Sequence, residues 1–317
     1  MRVLILGGTG LTGPFVVRGL VRLGHEVTIF HRGGHEAGLP DGVTHIHGDI
    51  ARPPAGLRHL SADVVVHMWA MNEPDTRAFL DCFRGAAGRV VAISSGDVYR
   101  AYGRLKRLES GPPDPIPLTE DAPLRESRYP YRGIGNAPLL RVDEYDKVLV
   151  EQMLRNQADV PVTILRFPAV YGPNDNHRFG PWLRQMTADR AELRIQEDFG
   201  GWHWTHGFSE DVAEAVGLAV TNGRAAGRTY NVGEPHSPAW IERLEEWGRL
   251  AGWDGRIVPV PAGELPEDRR MPNDFSHHLA VDTSRIRTEL GYAEVVPREE
   301  GIVRTIAWER GAAAGRP

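Results

Sequence analysis

The sequence predicts a doubly wound α/β fold, with a mostly parallel sheet covered by helices on both faces. Three observations carry that reading. Short apolar runs alternate with helix-period segments from the first residues onward. Those runs are almost continuously apolar, as strands buried on both faces of a parallel sheet are. A glycine cluster stands between the first apolar run and the first helical segment. The 317 residues suffice for one large domain or two linked ones.

Arg2–Leu6 (RVLIL) is the first strand. GGTGLTG, Gly7 to Gly13, comes next. It opens into FVVRGLVRLG, where Phe15, Val16, Leu20 and Leu23 share one side of a helix. Strand, glycine turn and helix in that order form a dinucleotide cradle. Gly7 permits the tight turn, Gly10 lets the backbone approach a pyrophosphate, and Gly13 lets the helix pack on the strand. Thr9 and Leu11 complete the loop, and the first amides of the helix face the phosphates. The second strand, EVTIF, runs into His31-Arg32-Gly33. No carboxylate stands there to hold an adenosine ribose hydroxyl, whereas Arg32 can pair with a 2′-phosphate. NADP is therefore favoured over NAD. A third strand in HIHGDI places Asp49 and Ile50 at the adenine. DVVVHMWA is the fourth, ending in Trp69 and Ala70, and RVVAISSGDVY is the fifth, ending in two serines. In such sheets ligands bind at the carboxyl ends of the strands.

Composition narrows the partners. Apolar residues make up 41% and charged ones 25%, with a net charge of −5 and no basic block, which argues against nucleic acid. No apolar run nears the roughly 18 residues that suggest a membrane span. MRVLILGGTG enters a buried strand at once, so a signal peptide is not expected and the compartment is read as cytoplasmic. The lone cysteine, Cys82, excludes an intrachain disulfide and a cysteine-based zinc site. The 13 histidines are scattered, and HWTH and HH show no metal-ligand set, so no metal is expected.

In order along the chain, GGTGLTG, GDI, HMWA, ISSGDVY, ILRFPAVYGP, SEDVAEAV, YNVGE and VDTSRIRTELGY resemble the extended short-chain dehydrogenase/reductase family, of the NAD(P)-dependent epimerase/dehydratase type. The resemblance spans essentially the whole chain. It implies a Rossmann domain, residues 1–167 with a return at about 205–232, and a smaller substrate-binding domain from 168–204 and 233–317. It also implies a Ser–Tyr–Lys site, a cofactor contact at Phe167, and a homodimer to which a helix over 142–157 contributes.

Ser95 falls at the family's catalytic serine, where its hydroxyl can donate to a substrate oxygen. Lys147 falls at the family lysine, which holds the nicotinamide ribose. It is one of only two lysines among 37 cations. An ammonium is a compact charge that fits between ribose hydroxyls, which a forked guanidinium does not. The family tyrosine lies four residues before its lysine, and here that position is Asp143. Tyr145, two before, would point away by about 200° on a continuous helix. Either Asp143 is the base beside Lys147, or Tyr131 of RYPYRG enters from a loop, or Tyr145 serves if the helix begins later, or no group replaces the phenol. The 47 residues between Tyr99 and Lys147 are rich in Pro, Gly and charge. A segment that long is read as a lid or as a surface insertion.

The substrate half departs from the family. Ala169 replaces a sugar-contacting Asn, and Trp204 stands where an Arg would grip a nucleotide diphosphate. Arg178, Arg269 or Arg270 are candidate clamps, and Trp202 and Trp204 either line an aromatic pocket or pack a core. The leading expectation is an atypical NAD(P)-dependent oxidoreductase, epimerase or dehydratase acting on a hydroxylated small molecule, such as a modified sugar or nucleoside. A catalytically degraded NADP-binding regulator is the second reading, and an RNA-binding protein the third.

Overall fold

The computed structural model describes residues 1–34, 38–83, 85–133, 142–175, 178–188 and 191–313. In chain order the elements are β1 (Arg2–Leu6), α1 (Gly13–Arg22), β2 (Glu26–His31), β3 (Thr44–His47), β4 (Ala62–His67), α2 (Glu73–Phe83), β5 (Ala87–Ser95) and α3 (Arg100–Leu105). Then come α4 (Lys147–Asn156), β6 (Val162–Phe167), β7 (Ala169–Tyr171), α5 (Gly180–Ala188), β8 (Glu192–Gln196), α6 (Glu197–Gly200), β9 (His206–Phe208) and α7 (Ser209–Thr221). The chain closes with β10 (Thr229–Asn231), α8 (Trp240–Leu250), β11 (Arg256–Val260), α9 (Ser284–Leu290) and α10 (Arg298–Ala313).

Seven strands form one parallel sheet in the order β10-β6-β5-β4-β1-β2-β3. The order reverses between β1 and β4, which opens the crevice where a dinucleotide lies in this architecture. The expected continuous apolar strands are what bury both faces. On one side Val3, Ile5, Val64 and Val66 pack with α1 and α7 residues such as Val17, Leu20, Val212 and Val216. On the other, Leu4, Leu6, Val65, Val90 and Ala92 pack with Phe79 and Phe83 of α2 and Val150 and Leu154 of α4. Alternate residues of each strand thus feed opposite cores, as the pleat requires.

A third core lies outside the sheet. It is built from aromatic residues: Tyr171, Phe179, Phe199, Trp202, Trp240, Trp247 and Phe275. The parallel pairs β8–β11 and β7–β9 border it. The long segment after α3 is strapped down. Leu118 bridges Val281, with its amide donating to the Ala280 carbonyl at 2.8 Å. Arg100 and Arg104 pair with Asp114, and Ser127 donates to Glu109 at 2.7 Å. Over its described part, 106–133, the segment is therefore a fitted strap, and the reading as a loose insertion is corrected. Few helix or strand periods exist there because Pro and Gly interrupt them.

Candidate active site

Gly7 sits at φ +96°, a conformation that only glycine adopts without strain, and this turns the chain out of β1. A Cβ on Gly13 would lie 2.4 Å from the Gly8 carbonyl carbon. Gly13 therefore packs the start of α1 on the loop itself, not on the strand as expected. A Cβ on Gly10 would meet nothing within 4 Å. Gly10 is exposed and Thr9 and Leu11 are half-buried, so the loop leaves an open cradle against the amino end of α1. That cradle fits a pyrophosphate. Along the same rim Arg32 lies over the Trp69 ring at 5.4 Å, and Asp49 is exposed, its Oδ1 accepting from the Ala51 amide at 3.0 Å. His31, Ile50 and Ala70 are buried beneath, and Phe167 is half-buried at the end of β6.

The start of α4 decides the chemistry. Asp146 is its N-cap, accepting from the amides of Val148 and Leu149 at 3.0 and 3.3 Å. Its carboxylate also pairs with Arg125 of the strap at 2.9 Å, both side chains fully buried, and accepts from the Tyr129 amide at 2.8 Å. Helix begins at Lys147, so Tyr145 precedes it. Tyr145 bridges Asn72, while the Asp146 amide donates to the Met71 carbonyl. The helical angle that would turn Tyr145 away therefore does not apply. Its hydroxyl donates to Asp97 Oδ2 at 2.7 Å, and Ser95 donates to its oxygen. Sequence reasoning left this residue open only for a helix that begins later, and α4 does begin later, at Lys147. The available signal was Asp146 itself, a preferred N-cap residue directly before the helical phase begins.

Asp143, expected as a base beside Lys147, is exposed in a 3₁₀ turn, where its Oδ1 accepts from the Gly133 amide at 2.9 Å. The expectation fails because the i,i+4 relation needs a helix that has not yet started. Tyr131 does reach the site. Its hydroxyl donates to Asp97 Oδ2 at 3.1 Å and accepts from Tyr102 at 2.8 Å. Asp97, which sequence reasoning did not single out, joins three groups. It receives Tyr145 and Tyr131, its amide donates to Ser95 Oγ at 3.3 Å, and its Oδ1 has no hydrogen-bond partner among the described residues.

Burial sets the protonation states. It raises the Asp97 carboxyl above the usual range, against the tyrosine hydrogen bonds and the charge of Arg125. It also pushes the Tyr145 phenol well up, and the Asp97 charge adds to that. Lys147 is buried, with Nζ donating to the Ile93 carbonyl at 2.7 Å. Burial pulls it down to about 8, partly offset by Asp97 and Glu151. Glu151 is held instead by Arg166, at 3.0 and 2.8 Å, and by Ser94 at 2.6 Å. Lys147 and Glu151 are thus both buried and do not form an exposed surface pair. His67, at the end of β4, is buried against Phe79 and is pulled down to about 3 by desolvation and then by the Lys147 charge.

On the substrate side, Arg178 lies over the Trp204 ring at 4.9 Å, and its charge is felt at Tyr102. Its buried Nε has no hydrogen-bond partner among the described residues. Trp202 is corrected from pocket to core: it is 5% exposed, donates to the His277 carbonyl at 2.9 Å, and packs on Phe199, Trp240 and Phe275. Arg270 is turned to the Leu265 carbonyl at 2.8 Å.

A glycine cradle, a reversed parallel sheet and a Ser–Tyr–Lys cluster at its carboxyl edge define a nicotinamide-dependent oxidoreductase-type enzyme. Residues 3–233 match the model of the NAD-dependent epimerase/dehydratase family, and the chain belongs to that family. A 2′-dehydrokanamycin reductase of Streptomyces kanamyceticus is 26% identical over 83% of this chain and 70% of its own. A dTDP-glucose 4,6-dehydratase of Streptomyces griseus is 27% identical over 96% and 93%. A UDP-glucose 4-epimerase from Stenotrophomonas maltophila, solved with bound NAD and formylated UDP-arabinopyranose, superposes with a TM-score of 0.74 at 20% identity, covering 99% of each chain. The protein is thus an NAD(P)-dependent enzyme of epimerase, dehydratase or reductase type. Among the described residues, no helix is long and apolar enough to cross a membrane.

Proposed function

We propose that the protein oxidises or reduces a carbinol carbon of a hydroxylated small molecule, a modified sugar or nucleoside, with NADP, and that Tyr145 handles the proton. The observation that carries this is the Tyr145 hydroxyl held between Ser95 and Asp97, two residues before Lys147. A nicotinamide bound at the carboxyl edge of the sheet supplies the hydride acceptor or donor. Gly7, Gly10, Gly13, Thr9 and Leu11 hold its pyrophosphate, Arg32 the 2′-phosphate, and Lys147 the ribose. When substrate binds, Ser95 turns its single proton from the phenol to the substrate oxygen. In oxidation Tyr145 Oη takes the carbinol proton as its own proton passes to Asp97 Oδ2, and reduction runs both transfers backward. A carboxyl raised by burial is suited to store that proton. Tyr131 holds Asp97 in place. Arg178 and Trp204 receive the remainder of the substrate, with the guanidinium Nε turned to an acidic or strongly polar group.

The test is NADPH oxidation with a panel of keto-sugars and keto-nucleosides. Tyr145→Phe is expected to cost about 10²–10⁴ in turnover while NADP binding persists. Turnover within tenfold of the parent would end the assignment. Arg32→Gln should weaken NADP more than NAD, and equal weakening would remove the 2′-phosphate contact. The regulator reading rested on a missing phenol, and Tyr145 supplies one.

A further inference from the structure

Two parallel strands at the sheet edge carry three imidazoles. His31 closes β2, and register places it directly beside His47 of β3. His45 is two residues earlier on β3, so the pleat puts it on the same face as His47. One ring nitrogen from each of the three lies within 4.8 Å of the other two. His31 Nε2 and His45 Nδ1 are 3.1 Å apart, and the His31 and His47 ring centroids are 4.6 Å apart. His31 is 6% exposed and anchored in the sheet, while His45 and His47 are exposed, where a side chain has room to adjust.

We propose that His31, His45 and His47 bind one divalent transition ion of borderline softness, Zn²⁺, Co²⁺ or Ni²⁺, which staples the edge strand to its neighbour. Imidazoles are the ligands such ions prefer, and no thiolate or carboxylate is needed. Metal–nitrogen bonds of about 2.0–2.1 Å in a tetrahedron set ligand nitrogens about 3.4 Å apart. The His31–His45 separation already approaches that bite, and His47 closes the third side by a side-chain adjustment at the surface. The Gly33 amide donates to His31 Nδ1 at 3.3 Å, which places the ring proton on Nε2, so the ion displaces that proton to Nδ1 and this long bond is given up as Nε2 coordinates. Arg32, next in sequence, lies over Trp69, which keeps its charge directed to that ring. Water completes the shell. The arrangement escaped sequence reasoning because HIH offers only two ligands, and the third comes from a strand fourteen residues earlier.

The experiment is calorimetric titration of the untagged, metal-stripped full chain with ZnCl₂, paired with Co²⁺ absorption and thermal unfolding. The parent should bind one equivalent, give ligand-field bands with Co²⁺, and unfold a few degrees higher with Zn²⁺. His45→Gln/His47→Gln should lose all three responses and keep its metal-free melting temperature. His278→Gln, which alters the separate His203–His278 pair, should keep them. Absence of stoichiometric binding, or binding and stabilisation that survive in the double variant, would overturn the proposal.

Discussion

Replacing Lys147 by methionine should make the protein more stable and less active. The ammonium is 3% exposed, and burial lowers it from 10.5 to about 8. At about 1.4 kcal/mol per pK unit, the charged form costs about 3 kcal/mol in the folded state at pH 7. Losing the bond to the Ile93 carbonyl returns about 1 kcal/mol, which leaves a net gain of about 2 kcal/mol for Lys147→Met. The size depends on pH, and above about 10.5 only the lost hydrogen bond remains, in the parent's favour. Below pH 8 the lysine is charged in both folded and unfolded chains, and the cost is full. Between 8 and 10.5 only the unfolded chain binds the proton, so the parent recovers stability as pH rises and the advantage of the variant fades. Urea unfolding of both proteins at pH 7 and at pH 10 measures this directly, with NADP affinity followed in parallel. The reasoning fails if the variant is no more stable at pH 7, if the difference is the same at both values, or if NADP binding and turnover are untouched.

Gly10→Ala should fold normally and lose nucleotide affinity at least tenfold, because its methyl enters open space, whereas Gly13→Ala should lower the melting temperature sharply by striking the Gly8 backbone. Normal NADP titration of Gly10→Ala would place the pyrophosphate elsewhere. Arg125→Met should cost about 3–5 kcal/mol in urea unfolding by stranding the buried Asp146 carboxylate, and Arg125→Met/Asp146→Ser should recover part of it. His67 bears two buried ring nitrogens without hydrogen-bond partners among the described residues, and its folded pKa is about 3 against 6.5. The unfolded chain alone takes up that proton as pH falls below 6.5, so the parent should lose about 2 kcal/mol between pH 6.5 and 5 on this account. His67→Leu should flatten that slope in acid-dependent melting curves.

The sheet was legible because its strands are buried on both faces: RVLIL, DVVVH and RVVAIS admit no other environment, and GGTGLTG marks the turn that leaves the first of them. The placement of Tyr145 was legible only conditionally, because its two-residue offset was measured along a helix whose N-cap, Asp146, is held by Arg125, twenty-one residues away. Nothing local marks that partner. Trp202 and Trp204, two residues apart, show the same limit. One is closed in by Phe199, Trp240 and Phe275, and the other faces Arg178, a division made by chain segments distant in sequence.

The buried Arg125 has a consequence for how such a site can change. The same guanidinium that seats Asp146 also donates to the Asp97 carbonyl at 2.9 Å, so one strap residue holds both the neighbour of Tyr145 and the carboxylate that its hydroxyl meets. A change at this one strap position would therefore loosen Asp146 and Asp97 together.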